Sequence, residues 1–294
     1  MAGIQMLIII KPSTQKKHKK NCAWLLKQCQ KRQISYTLVY TTGDFTDDCK
    51  KITMLAQSQK RVVVLGGDGS LHLAVNALMG LNCTLALLPQ GTGNDFARGF
   101  GCTISAWRTA IFSDFSEKID IGQINSRYFI NIAGIGFDAH VVQALQSKPA
   151  LSALGYSFAG FKHLLGYQAK WLAGRLAGQP VKYHNLITVF ANHHYFGGGL
   201  RIAPKAELNN GYLECYGMPA RGLVGNLYSF IRLLLRNHHA MSGLNYQRLT
   251  TAYIQTPDLP IEADGELAGV SPAKVTIHPQ ALRFCIPKSS VTQV

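Results

Sequence analysis

The chain has 294 residues, room for one large domain or two moderate ones, and with 47% hydrophobic against 15% charged residues it is not a disordered polymer. Its 30 Lys and Arg against 15 Asp and Glu leave a net charge of +15, which favours polyanionic partners (nucleic acid, nucleotide or an acidic membrane surface) without choosing among them. Seven scattered cysteines with no CxxC pair suggest neither a zinc site nor a disulfide framework and fit a reducing, cytosolic compartment.

In chain order, Leu7–Ile10 reads as a buried strand, Thr14–Arg32 as an amphipathic helix and Ser35–Tyr40 as a strand. Asp47–Ser58 reads as a helix, Arg61–Leu65 as a strand, Leu71–Met79 as a helix ending at Gly80, and Thr84–Leu88 as a strand. Strands separated by helices predict a parallel α/β sheet covered on both faces. After Asp120 the pattern turns to strands: Arg127–Ile132, Leu186–Asn192, Tyr212–Met218, Thr251–Gln255 and Val275–Ile277. Apolar residues at helical spacing predict helices over about Leu151–Leu176 and over Arg221–Arg236. Met6–Ile10 is too short for a signal peptide, and its basic cluster Lys16–Lys20 follows rather than precedes it. Lys162 and Arg232 interrupt the two apolar stretches, so no membrane span is predicted and any membrane contact is expected to be peripheral.

Three segments carry chemistry. In VVVLGGDGS (Val62–Ser70), a strand runs through Gly66, Gly67, Asp68 and Gly69 into a helix whose free N–H groups suit a phosphate. An acid in such a turn would repel phosphate unless a cation stood between them, so Asp68 points to a bridging magnesium. LPQGTGNDFAR (Leu88–Arg98) repeats the logic one unit later with Gly91, Thr92, Gly93 and Asn94, and a helix from about Asp95. Two such turns at neighbouring parallel strand ends frame one crevice. Neither a P-loop nor the GxGxxG dinucleotide fingerprint is present. In IEADGEL (Ile261–Leu267), Asp264 and Glu266 flank a glycine turn; a carboxylate there could accept a hydroxyl proton as a bond to phosphorus forms, although taken alone Asp-Gly more often marks a hairpin turn with solvated acids.

GGDGS, PQGTGNDFAR and ADGE, in this order and at these separations, resemble the diacylglycerol kinase catalytic-domain family, most closely the soluble bacterial-type lipid kinases. KIDIGQIN around Asp120, YFINIAGIGFDAHV (Tyr128–Val141) and FGGGLRIAPKAELNNGYLECY (Phe196–Tyr216) extend the likeness from about residue 6 to residue 287. The resemblance implies an α/β N-terminal domain like those of NAD kinases and phosphofructokinases over 1–121, a β-sandwich-like domain over 122–285, and ATP in the cleft between them. The segment 286–294 is expected to return to the first domain. It also implies an ATP-dependent lipid kinase. Gly66, Gly67, Gly69, Ser70, Gly91 and Thr92 would cradle ATP with Asn94 nearby, and Thr41 or Thr42 would contact the nucleotide. Asp68, Asp120 and Glu266 would serve Mg2+, and Asp264 would be the general base. The implied partners are a membrane lipid substrate and an anionic membrane met peripherally at its inner, cytoplasmic face, with a homodimer left open.

Two departures from the family pattern stand out. Lys11-Pro12-Ser13-Thr14 replaces N-P-x-S-G after the first strand, so Lys11 itself is a phosphate candidate. Asn209-Asn210-Gly211 stands where close relatives carry Asp, which puts an accessory structural ion in doubt. The pairs His193–His194 and His238–His239 have no acidic or sulfur partners at ligand spacing and are assigned surface or capping roles. The rival readings are an NAD kinase, against which the absence of its Thr-Gly-Ser-Thr-Ala-Tyr-like segment counts, and a non-catalytic, membrane-surface nucleotide-binding protein of the same fold. A nucleic-acid binder is disfavoured because Lys16–Lys20 has no interleaved aromatics.

Overall fold

A computed structural model describes residues 5–145 and 160–288. The chain divides into two compact units, one made of the chain up to Ile119 together with the stretch from Ala281, the other of Asp120–Gln280.

The first unit begins with β1 (Gln5–Ile10), α1 (Lys16–Lys31), β2 (Ser35–Tyr40), α2 (Phe45–Ala56), β3 (Arg61–Gly66), α3 (Asp68–Leu78) and β4 (Thr84–Pro89). Helices α4 (Asp95–Gly99) and α5 (Ile104–Ile111) follow. The four strands pair in parallel in the order β4-β3-β1-β2. Arg283 and Phe284 of the returning chain add a parallel edge beside β4. Both faces of the sheet are buried, which is why β1, β3 and β4 read as continuous apolar runs. On one face Met6, Ile8, Val63, Leu65 and Ala86 pack against Leu25 and Cys29 of α1 and Ala110 and Ile111 of α5. The intervening residues Leu7, Ile9, Val62 and Val64 are also buried. Each fully buried aliphatic side chain contributes about 1.5–3 kcal/mol.

The second unit is mainly antiparallel. It contains most of β5 (Glu117–Ile124), then β6 (Arg127–Phe129), β7 (Ile132–Gly136), α6 (Phe137–Leu145), β8 (Lys170–Leu176), β9 (Gln179–Ala191), β10 (Tyr195–Phe196) and β11 (Leu200–Arg201). After these come β12 (Leu213–Pro219), α7 (Gly222–Leu234), β13 (Asn245–Leu249), β14 (Thr251–Ile254), β15 (Pro260–Ala263), β16 (Glu266–Val270) and β17 (Ala273–Phe284). The long β9 organises the unit: its first half pairs with β8, and its second half pairs with β7 on one side and β12 on the other. Side chains alternate between two cores. Ala133, Ile135, Leu213 and Cys215 join the sandwich interior with Leu172, Leu176, Ile261 and Val275. Ile132, Tyr216 and Met218 join a second cluster with Phe137 of α6 and Phe230 and Leu233 of α7.

The helix expected over Leu151–Leu176 is corrected in its C-terminal part, where Lys170–Leu176 is a strand; residues 146–159 lie outside the described residues. The surface or capping role expected for the histidine pairs is corrected in part. His193 and His238 are buried, and Nε2 of His238 lies 2.7 Å from the carbonyl of Ile202.

Candidate active site

In the first unit the parallel register brings strand ends into line. Ile10 of β1 lies opposite Tyr40 of β2 and Leu65 of β3, and Gly66 lies opposite Pro89. Lys11, Thr41, Gly67 and Gln90 therefore leave the sheet along one edge, at the C-terminal ends of the strands. The chain winds from β1 through α1 to β2, then crosses back through α2 to β3 on the other side of β1. The winding reverses between β1 and β3, the place where open α/β sheets take ligands.

The two glycine turns meet at this edge. A Cβ on Gly67 would lie 2.6 Å from the Cα of Gly91, and one on Gly91 would lie 2.6 Å from the Cα of Gly67. Only glycine permits that approach. The Gln90 N–H donates to the Gly66 carbonyl at 2.8 Å. Asn94, in the left-handed region at φ 50°, clasps the second turn: the Gly91 N–H donates to its Oδ1 and its Nδ2 donates to the Gly91 carbonyl, both at 2.7 Å. Asp68 opens α3, and its Oδ1 accepts from the Phe96 N–H of α4 at 3.1 Å. Ser70 is buried against Gly66, while Gly69 and Thr92 are exposed.

The structure separates the two threonines. Thr42 is committed to the start of α2: its N–H and hydroxyl donate to the Asp48 carboxylate, and its hydroxyl accepts from the Asp44 N–H. Thr41 continues β2, with its N–H on the Ile10 carbonyl at 3.0 Å. Its side chain, at the C-terminal end of the strand, is half-buried.

In the second unit the turn between β15 and β16 holds Asp264 in the left-handed region, φ 52°, followed by Gly265 at φ 85°. The Asp264 carboxylate accepts from three consecutive backbone amides: Ile130 at 2.9 Å, Asn131 at 2.8 Å and Ile132 at 3.1 Å. Glu266, at the start of β16, is exposed. Asp120 is buried, with Oδ1 accepting from Gln280 N–H at 2.7 Å and Oδ2 from Gly211 N–H at 2.6 Å. It anchors the Leu208–Gly211 loop, where Asn210 Oδ1 accepts from the Tyr212 N–H at 2.9 Å. Buried Asn192 joins the two acids by donating to the carbonyls of Asp120 and Ile130 at 2.8 and 2.9 Å.

Sequence reasoning missed the carboxylates behind Asp264. Glu262 faces Gly134 across the β15–β7 pair, and Asp138 projects from α6. Asp138 Oδ2 and Glu262 Oε1 both crowd the position a Cβ on Gly134 would take. Burial pushes Asp138 up to about 7, with the Ala139 amide and its own N–H partly offsetting the loss of water. Glu262 is pushed well above the carboxylate range by burial and by Asp138, opposed by the Gly265 N–H, which its Oε2 accepts at 2.8 Å. Glu262 thus positions the turn that presents Asp264. Only its place between Ile261 and Ala263 could have flagged it, since an acid in an apolar strand gives no sign of which face it takes.

The glycine edge fits a polyphosphate: backbone without Cβ atoms, an eleven-residue helix start and, on Lys11, an exposed cation. Among the described residues no group of three or more His, Cys, Asp or Glu could hold a metal ion. A divalent ion would take most ligands from phosphate and water, with Asp68 as the acid at this edge.

Comparison with known proteins agrees with these features. Residues 5–124 match the diacylglycerol kinase catalytic domain, and residues 131–286 match the YegS C-terminal NAD kinase beta sandwich-like domain. The "Probable lipid kinase YegS-like" protein of Shewanella frigidimarina is 31% identical over 270 residues, covering 87% of this chain and 86% of that one. A diacylglycerol kinase of Bacillus subtilis is 26% identical over 290 residues, 94% of each chain. A solved diacylglycerol kinase structure from Bacillus anthracis, at 19% identity, superposes with a TM-score of 0.75 over 97% of this chain and 98% of that one, which shows a shared fold.

Proposed function

The chain belongs to the diacylglycerol kinase catalytic-domain family of lipid kinases, and from that membership we propose that it transfers the γ-phosphate of ATP to a hydroxyl of a membrane lipid of the diacylglycerol type. The observation that carries the reading is the contact of Gly67 with Gly91, which leaves two side-chain-free turns at the ligand edge of a parallel sheet. A phosphate chain could approach those backbones closely, with the α3 N-terminus, Gly69, Ser70, Thr92 and Thr41 around it. Magnesium bound with ATP would neutralise charge on the transferring group. Asp68 would supply a carboxylate beside the phosphates, and Glu266, an exposed acid of the second unit, would be the further acid that the family resemblance implies for the ion. Asp120 acts at one remove, through the loop it anchors.

Asp264 takes the proton of the acceptor hydroxyl. Its three amide partners fix the carboxylate's direction before substrate arrives, which is what a positioned base requires. The relatives' names support a lipid acceptor. A net charge of +15, and no helix among the described residues long and apolar enough to cross a membrane, support peripheral work at an anionic inner membrane face.

The test is transfer of label from γ-labelled ATP to diacylglycerol, phosphatidylglycerol and a sphingoid base in mixed micelles. Magnesium-dependent labelling of a lipid hydroxyl is expected. No labelling of any lipid, or labelling of NAD instead, would overturn the proposal.

A further inference from the structure

Helix α7 faces the wrong way for a helix of a water-soluble surface. Asn226, Ser229, Phe230 and Leu233 form its buried side. The two polar members are satisfied locally, Asn226 Oδ1 by the Arg221 N–H at 2.9 Å and Ser229 Oγ on the Gly225 carbonyl at 3.0 Å. At about 100° per residue, Val224, Tyr228, Ile231 and Leu235 fall within about 60° of one another on the opposite side. All four are exposed, Val224 at 82% and Leu235 at 70%. The outward stripe is thus apolar, whereas an ordinary surface helix turns its apolar stripe inward.

A second element extends the patch. Gly160 comes so close to the Phe230 ring that a Cβ there would lie 2.9 Å from it. This sets the helical turn at residues 160–164 beside α7, with Phe161 and, just after it, Leu165 exposed and Lys162 between them.

Charge identifies the occupant. Arg221, Arg232 and Arg236 border the stripe, with the Arg232 guanidinium 5.8 Å from the centre of the Tyr228 ring. No Asp or Glu occurs between Asp138 and Glu207, or between Glu214 and Asp258. Apolar side chains rimmed by arginines without acids suit the boundary between acyl chains and anionic headgroups. Tyr228, with an apolar ring and a polar tip, suits the same depth. A two-fold pair of this face would bring like-charged arginines together, which disfavours a second copy of the chain. We propose that α7, with the 160–164 turn, is the surface that docks the protein on an anionic lipid bilayer. The inference rests on the lipid-kinase reading.

The experiment is co-sedimentation with vesicles of phosphatidylcholine alone, or of phosphatidylcholine mixed with phosphatidylserine, at low and high salt. The wild type is compared with Val224→Glu/Leu235→Glu and with Arg232→Gln/Arg236→Gln. The wild type should bind only the anionic vesicles, and less at high salt. Each double variant should lower partitioning by roughly tenfold or more. Activity toward a short-chain lipid in detergent micelles should stay at the wild-type level in both variants. Wild-type partitioning by Val224→Glu/Leu235→Glu, or equal wild-type binding to neutral vesicles, would overturn the assignment. So would a wild-type dimer, by light scattering, that the apolar variant turns into a monomer, since the face would then be a self-interface. Failure of the lipid-kinase reading would appear separately, as no lipid labelling by the wild type even in micelles.

Discussion

Gly67 and Gly91 touch backbone to backbone, so that neither position accepts a Cβ without moving the other turn. Gly67→Ala or Gly91→Ala should therefore separate the two turns. Overpacking of this kind costs about 1–3 kcal/mol of stability. It should also weaken ATP binding by roughly tenfold or more, equivalent to about 1.4 kcal/mol. Calorimetric titration with ATP, beside a thermal melt, measures both. Unchanged ATP affinity in a folded variant would remove the glycine contact from nucleotide binding.

Asp68 combines a charge with an acceptor for the Phe96 N–H. Asp68→Asn keeps an oxygen for that amide and removes the charge. The melting temperature should stay near wild type while the magnesium concentration for half-maximal activity rises several-fold, since the charge near the phosphates is gone. A superimposable magnesium titration would assign Asp68 to the shape of the turn.

Asp264→Asn should lower turnover by ~10²–10⁴, the usual loss for a positioned general base. The three amides on this carboxylate add a second effect. The new side-chain NH2 would face a backbone donor, and an unmet buried donor costs about 1–3 kcal/mol. Turnover is therefore measured well below the variant's own melting temperature. Turnover within threefold of wild type under those conditions would assign Asp264 to turn structure alone.

The first unit was almost fully legible because β1, β3 and β4 are apolar on both faces and β3 and β4 run into glycine turns. The second unit was less so. Leu172 and Leu176 are four residues apart, a spacing that satisfies a helix and a strand alike. The residue that decides is Gly174, inward-facing in β8 and packed against the backbone at Tyr253, and glycine carries no hydrophobic signal. The paired glycine turns were legible because a close backbone approach demands glycine, and the Asp264-Gly265 turn because its left-handed backbone favours such residues. Asn192 and the Asp138–Glu262 pair were not, because their roles arise from partners far away in sequence: 72 positions separate Asn192 from Asp120.

The buried pair sets a pH dependence. Asp138 and Glu262 are held above the ordinary carboxylate range, Asp138 at about 7, mainly by burial. Between the ordinary range and that value the folded chain keeps protons that the unfolded chain has lost. Stability is then fully present below about pH 4 and falls as pH rises through about 7. The slope is about 1.4 kcal/mol per pH unit for each proton retained. Asp264 and Glu266 also push Glu262 upward, and Asp138 acts in turn on Tyr167, so carboxylates dominate this side of α6. Asp138→Asn removes one titrating group and offers an NH2 that can donate to Glu262 Oε1, which has no partner among the described residues. Urea unfolding between pH 5 and 8.5 should show wild-type stability falling more steeply than that of Asp138→Asn, with the variant the more stable above pH 7. Because Glu262 Oε2 holds the Gly265 amide, Glu262→Ala should in addition loosen the turn and lower kcat, while Glu262→Gln, which keeps that oxygen, should retain most of it. Parallel pH profiles for wild type and Asp138→Asn would mean that the Asp138 carboxyl does not retain a proton in the folded state.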